Sequence, residues 1–236
     1  MGPLRTRWRR WTRRWKEEIL LSRTQSTRLL RKALEEGGHQ VKTFISASGI
    51  GYYGLEHSRT GPFKETDPAG VDFMAGVTVA WENEVLKIND PAIRKVIIRT
   101  GVALSLEGGA LDKLVKPIRY FVGAPLGTGN QFFNWIHIDD LCRLYLKAIE
   151  DPKMSGPYNA IAPNPVTNRE LTRMIAHTLK RPLILPAVPA FIVRLIAGEV
   201  ADVVLKGGKI SSEKIERDGF DFKFRTIDRA LQDLLL

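Results

Sequence analysis

Residues 41–54 read VKTFISASGIGYYG, and the fold turns on how that stretch is taken. Val41 to Ala47 is short, rich in β-formers and followed by turn residues, which is the pattern of a strand. Gly49, Gly51 and Gly54 then match G-x-G-x-x-G, the spacing of a dinucleotide-binding turn. That turn works only when its last glycine opens a helix whose N-terminal N–H groups face a pyrophosphate. The residues after Gly54, LEHSRTGPFKETDP, are polar and proline-broken, with no apolar repeat to make a helix. The nucleotide-turn reading is therefore rejected. What the glycines still supply is a tight turn at the C-terminal end of a strand, where α/β proteins place their ligands.

Working outward, Ile19, Leu20, Leu29, Leu30, Ala33 and Leu34 repeat at helical spacing, which predicts a helix over 14–36 stopped by Gly37-Gly38. A helix is expected from about Asp72 to Ile88, and Arg94 to Thr100 (RKVIIRT) reads as a strand buried on both faces of a parallel sheet. A helix near Ala110 to Phe121, the aromatic stretch FFNWIH, a helix from Asp139 to Glu150 and a short strand at Tyr158 to Ala162 follow. The alternation predicts an α/β fold, a partial Rossmann-like, doubly wound parallel sheet lacking its first strands. Past Pro163 the composition shifts. Thr167 or Asn168 caps a helix to Leu179, RPLILPAVPAF has three prolines, and further helices close the chain. The expected division is a sheet domain over 1–162 and a smaller, mainly helical lobe over 163–236, with residues 102–135 partly in that lobe.

With 236 residues, 44% of them hydrophobic, the chain can bury one good core. No apolar run approaches a bilayer span and the start lacks a secretory signal, so a cytoplasmic protein without stable membrane insertion is expected. The net charge of +10 is local: residues 1–42 hold 12 Lys/Arg against 4 Glu, and the rest hold 24 against 22 acids. Arg5, Arg7, Arg9, Arg10, Arg13, Arg14 and Lys16, interleaved with Trp8, Trp11 and Trp15, fit a phosphate- or membrane-binding start or an exposed leading edge of a helix. No nucleic-acid module follows, so the plain helix edge is preferred and no nucleic-acid partner is expected. The single cysteine, Cys142, excludes an internal disulfide and reads as core beside Leu141, Leu144, Tyr145 and Ala148. No metal site is expected.

Several segments then resemble one family. SASGIGYYG (46–54) looks like the "SS-x-x-VYG" segment of extended short-chain dehydrogenases, and NWIHIDDL (134–141) resembles their "F-I-H-V-D-D-L". RRWTRRWKEEILLSRTQSTRLL, WENE, IIRTGVALSLEGGAL, APLGTGNQFFNWIHIDDL, GPYNAIAPNPVTNREL and GGKISSEKIERDGFDFKF are similar to the YfcH-type epimerase-like proteins. The resemblance runs from about residue 9 to the end. It implies an NAD(P)-binding Rossmann domain, a substrate that is sugar-like or nucleotide-linked, and a C-terminal domain of unknown function. The family's opening strand and glycine turn have no counterpart here, so the chain is expected to be N-terminally truncated and its nucleotide grip impaired, with a non-catalytic, self-associating scaffold as the alternative. Such a chain would expose a sheet edge open to homo-oligomer formation. The superfamily's Tyr-x-x-x-Lys pair is also missing: the five tyrosines are followed at the fourth position by Glu56, His57, Ala124, Ile149 and Ala162, and Phe73 and Val77 stand where the pair belongs.

The resemblance places Ser46 and Ser48 at the end of the active-site strand, one of them bonding a substrate oxygen; satisfying local backbone is the plain alternative. Tyr52 and Tyr53 are candidates for a phenol acid in place of the missing one, or for ring packing. Ser46, Ala47, Arg99 and Thr100 are the cofactor-side candidates, and Gln131, Trp135 and His137 the substrate-side ones. His137 with Asp139 and Asp140 invites a general-base reading, but a helix cap at Asp139 and a core histidine are preferred.

Overall fold

The computed structural model describes residues 11–55 and 61–236. The basic positions Arg5, Arg7, Arg9 and Arg10, with Trp8, Glu56 and His57, lie outside the described residues. Helix α1 (Arg13–Glu35) leads into strand β1 (Thr43–Gly49), a 3₁₀ turn at Ile50–Tyr53, helix α2 (Phe73–Leu86) and strand β2 (Arg94–Thr100). Then come β3 (Val102–Leu104), α3 (Ala110–Arg119), β4 (Phe132–Phe133), β5 (Trp135–His137), α4 (Ile138–Glu150) and β6 (Gly156–Ala160). The chain closes with β7 (Val166–Thr167), α5 (Asn168–Thr178), α6 (Ala190–Ala197), α7 (Ala201–Leu205), α8 (Glu213–Arg217) and α9 (Ile227–Leu235).

β1, β2 and β6 form a parallel sheet in that order, with Ser48 beside Arg99 and Arg99 beside Asn159. Side chains alternate across a sheet, so Phe44, Ser46, Ser48, Ile97 and Arg99 share one face. There Phe44 and Ile97 pack with Val85, Ile88 and Leu34 of the α1–α2 layer. On the other face Ile45, Val96 and Ile98 pack against Leu144 and Ala148 of α4 and against Ile215, Phe220 and Phe222 from the C-terminal residues. The sheet is thus wound on both faces, as the alternating pattern predicts. A second core joins Leu111 and Val115 of α3, Trp135, Leu171 and Ile175 of α5, and Leu231 of α9. Each such side chain, fully buried, contributes about 1.5–3 kcal/mol.

The two outer strands differ chemically. Lys214 Nζ donates to the Pro157 carbonyl at 2.7 Å, and the Asn159 N–H donates to Glu65 Oε1 at 2.9 Å, so side chains satisfy the free edge of β6. Among the described residues β1 pairs only with β2.

Two expectations about α4 are corrected. Cys142 is exposed. At about 100° per residue, Leu141, Leu144, Tyr145 and Ala148 fall on one side of the helix and Cys142 lies a quarter turn away. The N-cap is His137, not Asp139: its Nδ1 accepts the Asp139 N–H at 3.1 Å, which leaves Asp139 in the first turn. At α5 the capping box is complete, with Thr167 bonded to the Glu170 N–H and Glu170 reaching back to the Thr167 N–H.

Candidate functional site

The C-terminal ends of β1, β2 and β6 carry a buried polar chain. Ser48 Oγ donates to Glu82 Oε1 at 2.6 Å, and Arg99 grips the same carboxylate through Nε (2.9 Å) and Nη2 (2.8 Å). Arg99 Nη1 donates to the Tyr53 hydroxyl at 3.1 Å, and that hydroxyl donates to Asn159 Oδ1 at 2.7 Å. The Arg99 guanidinium also lies 3.4 Å from the centroid of the Tyr52 ring. Burial works against the Arg99 charge, yet the Glu82 bonds and the neighbouring Tyr53 overcome it and hold the guanidinium above its already high range. Burial pushes the Tyr53 phenol up to about 12, with Arg99 and Asn159 only partly offsetting it, so this phenol is protonated at neutral pH.

The turn that holds the tyrosines is set by a close backbone approach. Gly70 donates to the Tyr52 carbonyl at 2.9 Å, and a Cβ on Gly70 would come within 2.7 Å of Gly54 Cα. Gly54 has a φ of 74°, which glycine adopts without strain. Asp72 caps α2 and also accepts the Leu55 N–H at 2.7 Å. The glycine run therefore opens a 3₁₀ turn clamped by Gly70 and Asp72, and the next α-helix starts at Phe73. That agrees with rejecting it as a pyrophosphate cradle.

The structure brings together Ser48, Tyr52, Tyr53 and Arg99 in one network. Ser46 sits on the same face of β1, its hydroxyl on the Ala47 carbonyl at 3.0 Å. Ala47 and Thr100 belong to the opposite face. Ala47 is exposed, and a Cβ placed on neighbouring Gly49 would meet nothing nearer than 3.9 Å, so the strand end there is an open floor of small groups. Thr100 borders it and bonds Tyr145, whose phenol burial raises. Phe73 is half-buried at the start of α2, edge-on to Trp11 at 5.2 Å, and Val77 is buried.

The three substrate-side candidates lie away from that network. Gln131 Nε2 bonds the carbonyls of Leu126 and Val204, at 3.0 and 2.9 Å, tying the loop before β4 to α7. Trp135 is fully buried and donates to the Asn164 carbonyl at 3.2 Å. His137 is buried, stacked on Phe224 at 3.7 Å, with Nε2 3.3 Å from Asp233 Oδ2 in a direction that makes no hydrogen bond. Because Nδ1 accepts a backbone N–H, the neutral ring carries its proton on Nε2. Among the described residues no His, Cys, Asp and Glu cluster could hold a metal.

Burial holds the His137 pKa below its ordinary value, against the pull of Asp139, Asp233 and Asp140. The unfolded chain takes up this proton near pH 6.5 while the folded chain resists it, so stability is full above about pH 6.5 and falls as pH drops below that. Denaturant unfolding at a series of pH values should show that slope, and His137→Asn, which keeps a capping acceptor, should flatten it.

Sequence reasoning missed Glu82, Asn159 and Glu65. A signal existed for the first: α2 carries no charge from Phe73 to Trp81, so an acid in such an apolar helix needs a buried partner. Asn159 follows a strand pattern with no such mark.

Comparison with known proteins places this geometry. Residues 188–234 match a family described as "Domain of unknown function (DUF1731)". Over 237 residues the chain is 34% identical to the mouse epimerase family protein SDR39U1, covering all of this chain and 78% of that protein. It is 38% identical to the chloroplastic homologue from Arabidopsis thaliana, covering 96% of this chain and spanning 65% of that relative's length. The human epimerase family protein SDR39U1 (isoform 2), crystallised with NADPH, superposes with a TM-score of 0.89 at 31% identity, over 96% of this chain and 76% of that one. The nucleoside-diphosphate sugar epimerase of Corynebacterium glutamicum gives a TM-score of 0.77 at 34% identity, over 96% of this chain and 44% of that one. With one fold, near-complete coverage and this level of identity, the chain belongs to the SDR39U1 epimerase family, whose Rossmann-like fold it shares and whose C-terminal DUF1731 segment it carries.

Proposed function

We propose that this chain is an NAD(P)-dependent epimerase- or reductase-like protein that acts on a sugar-like or nucleotide-linked small molecule. The observation that carries the reading is the open floor of Ala47 and Gly49 at the strand ends, back to back with a fully hydrogen-bonded Ser48–Glu82–Arg99–Tyr53–Asn159 chain. Small groups at a strand end leave room for a planar ring, and in this reading Ala47 and Thr100 face it. A bound nicotinamide would supply a hydride donor and acceptor. The half-buried Tyr52, whose hydroxyl has no bond among the described residues, is the phenol left to hold a proton, while Tyr53 is committed to Arg99 and Asn159. Ser46, Ser48 and Arg99 support the wall, and Gln131, Trp135 and His137 order the substrate side. The glycine turn at 49–54 leads into a 3₁₀ turn, so it gives a dinucleotide's phosphates no helix N-terminus.

Titration of the chain with NADPH and NADH, read by nicotinamide fluorescence, should give saturable binding in the millimolar range. Ala47→Leu should weaken it at least about tenfold without changing the melting temperature, because the site of change is exposed. No fluorescence change at millimolar ligand would sink the reading.

One observation favours a second reading, a non-catalytic self-associating role. The edge of β6 is closed by Lys214 and Glu65, while β1 pairs on one side among the described residues. Light scattering at high concentration separates the two, since a clean monomer counts against the scaffold.

A further inference from the structure

α3 and α5 end at one corner of the molecule, and they end in the same way. The Phe121 N–H bonds the Ile118 carbonyl and the Val122 N–H that of Pro117; likewise the Lys180 N–H bonds the His177 carbonyl and the Arg181 N–H that of Ala176. The turning residue of such an ending is left-handed and usually glycine. Here it is Phe121, with a φ of 63°, and Lys180, with a φ of 52°. A bulky side chain held in that conformation is strained, which directs attention to what the side chain does.

The segments that follow run side by side. The Arg181 guanidinium lies 4.9 Å over the Phe121 ring, the Val188 N–H donates to the Pro125 carbonyl at 2.8 Å, and the Gly127 N–H to the Val188 carbonyl at 2.8 Å. Gly123 and Pro125 are buried on the inner side of this ribbon, and Leu183 packs on the core that joins α3 and α5. Tyr120, Phe121, Val122, Ile184 and Leu185 are left exposed, Tyr120 at 76% and Ile184 at 68%. Arg119, Lys180 and Arg181 are exposed beside them, with no acid partner among the described residues. Residues 113–138 and 171–198 contain no Asp or Glu. The acids of the same helices stand at the opposite end. Glu107 precedes α3, Asp112 in its first turn is paired with Lys116, and Glu170 lies in the first turn of α5. α9, packed on α5, starts where Asn164 bonds the Arg225 carbonyl, ahead of α5, so Asp228 lies toward that end, and Asp233 stands against His137.

We propose that this corner seats the protein on an anionic lipid surface, with Tyr120, Phe121, Val122, Ile184 and Leu185 in the interface and Arg119, Lys180 and Arg181 at the headgroups. The helix dipoles account for cations at the two C-terminal ends, but not for large apolar groups left in water between them. Apolar area and attraction to anionic headgroups add in an interfacial contact, so two modest signals together give adhesion where one does not. A second copy of the chain would bring like charges face to face. Nucleic acid would take the cations and the rings but has no use for Val122, Ile184 and Leu185. No helix among the described residues is long and apolar enough to cross a membrane, so the contact is peripheral.

Flotation of the full chain with phosphatidylcholine vesicles, and with vesicles also holding phosphatidylglycerol, tests this at low and high salt. Binding is expected on the anionic vesicles alone, with release by salt. The arginines of residues 5–14 also attract anionic vesicles, so variants at the corner decide the matter. Arg119→Gln with Lys180→Gln should lower the partition coefficient about thirtyfold, and Val122→Ser with Ile184→Ser at least about tenfold. All four positions are exposed, so melting curves should match the parent. Phe121→Gly should weaken binding about fivefold without lowering the melting temperature, since glycine takes the left-handed turn freely. Three results would overturn the proposal: no flotation with anionic vesicles at low salt, an unchanged partition coefficient in either double variant, or a single-stranded oligonucleotide bound more tightly than the vesicles at equal salt. Nucleotide titration is a separate readout, so the outcome does not depend on the cofactor reading.

Discussion

Arg99→Met is expected to lower the free energy of unfolding by about 3–5 kcal/mol, because it removes one partner of a buried ion pair and leaves the other charge uncompensated. Arg99 and Glu82 are only 3% and 5% exposed, and the guanidinium spends three nitrogens on Glu82 and Tyr53. The loss has a signature that separates it from simple cavity formation. Adding Glu82→Leu should recover much of it, since an apolar pair of similar volume replaces two desolvated charges. Ser48 would then lack its acceptor at 2.6 Å, so recovery should be incomplete. Urea unfolding of the two single variants and the double checks this; strict additivity would show that Arg99 and Glu82 are not coupled. Nucleotide binding should weaken in Arg99→Met as well, because Tyr52 rests on the guanidinium and Tyr53 hangs from it.

The second large effect is expected at Asp140, whose side chain is fully buried. Its Oδ1 accepts the Lys223 N–H at 2.9 Å and Arg143 at 2.9 Å, and its Oδ2 accepts the Phe224 N–H at 2.8 Å. One carboxylate thereby fastens the C-terminal residues to the helix that covers the sheet. Asp140→Ala strands two backbone N–H groups, at about 1–3 kcal/mol each, so a loss of about 2–6 kcal/mol is expected. Hydrogen exchange should report it locally, with the Lys223 and Phe224 amides losing protection before those of β2. Asp140→Asn keeps one carbonyl oxygen and should lose roughly half as much. Equal protection at 223 and 224 in parent and alanine variant would show that the clamp holds nothing.

The pattern of the chain made the fold legible to differing degrees. RKVIIRT became β2 over the expected residues, because a strand buried on both faces writes itself as an unbroken apolar run. β1 was displaced to Thr43–Gly49, two residues later than expected, since parallel pairing with Arg94–Thr100 and not local preference fixes where the ladder ends. The site was half legible. Ser48 and Tyr53 were recognisable from the family segment around them, but their partners Glu82 and Asn159 sit 34 and 106 residues away in the chain. Cys142 shows the limit of a periodic reading applied loosely, as one position off the stripe is enough to turn a side chain to solvent.

By itself the sequence determined the alternation of helix and strand, the location of the basic start, and the rejection of residues 49–54 as a phosphate cradle, because each depends on neighbours within a few positions. Only the tertiary structure decided that Arg99 is consumed by Glu82 and that Asp140 holds the C-terminal residues. Those are pairings between distant segments, and what selects them is the cost of leaving a buried charge or N–H without a partner, which no local pattern records.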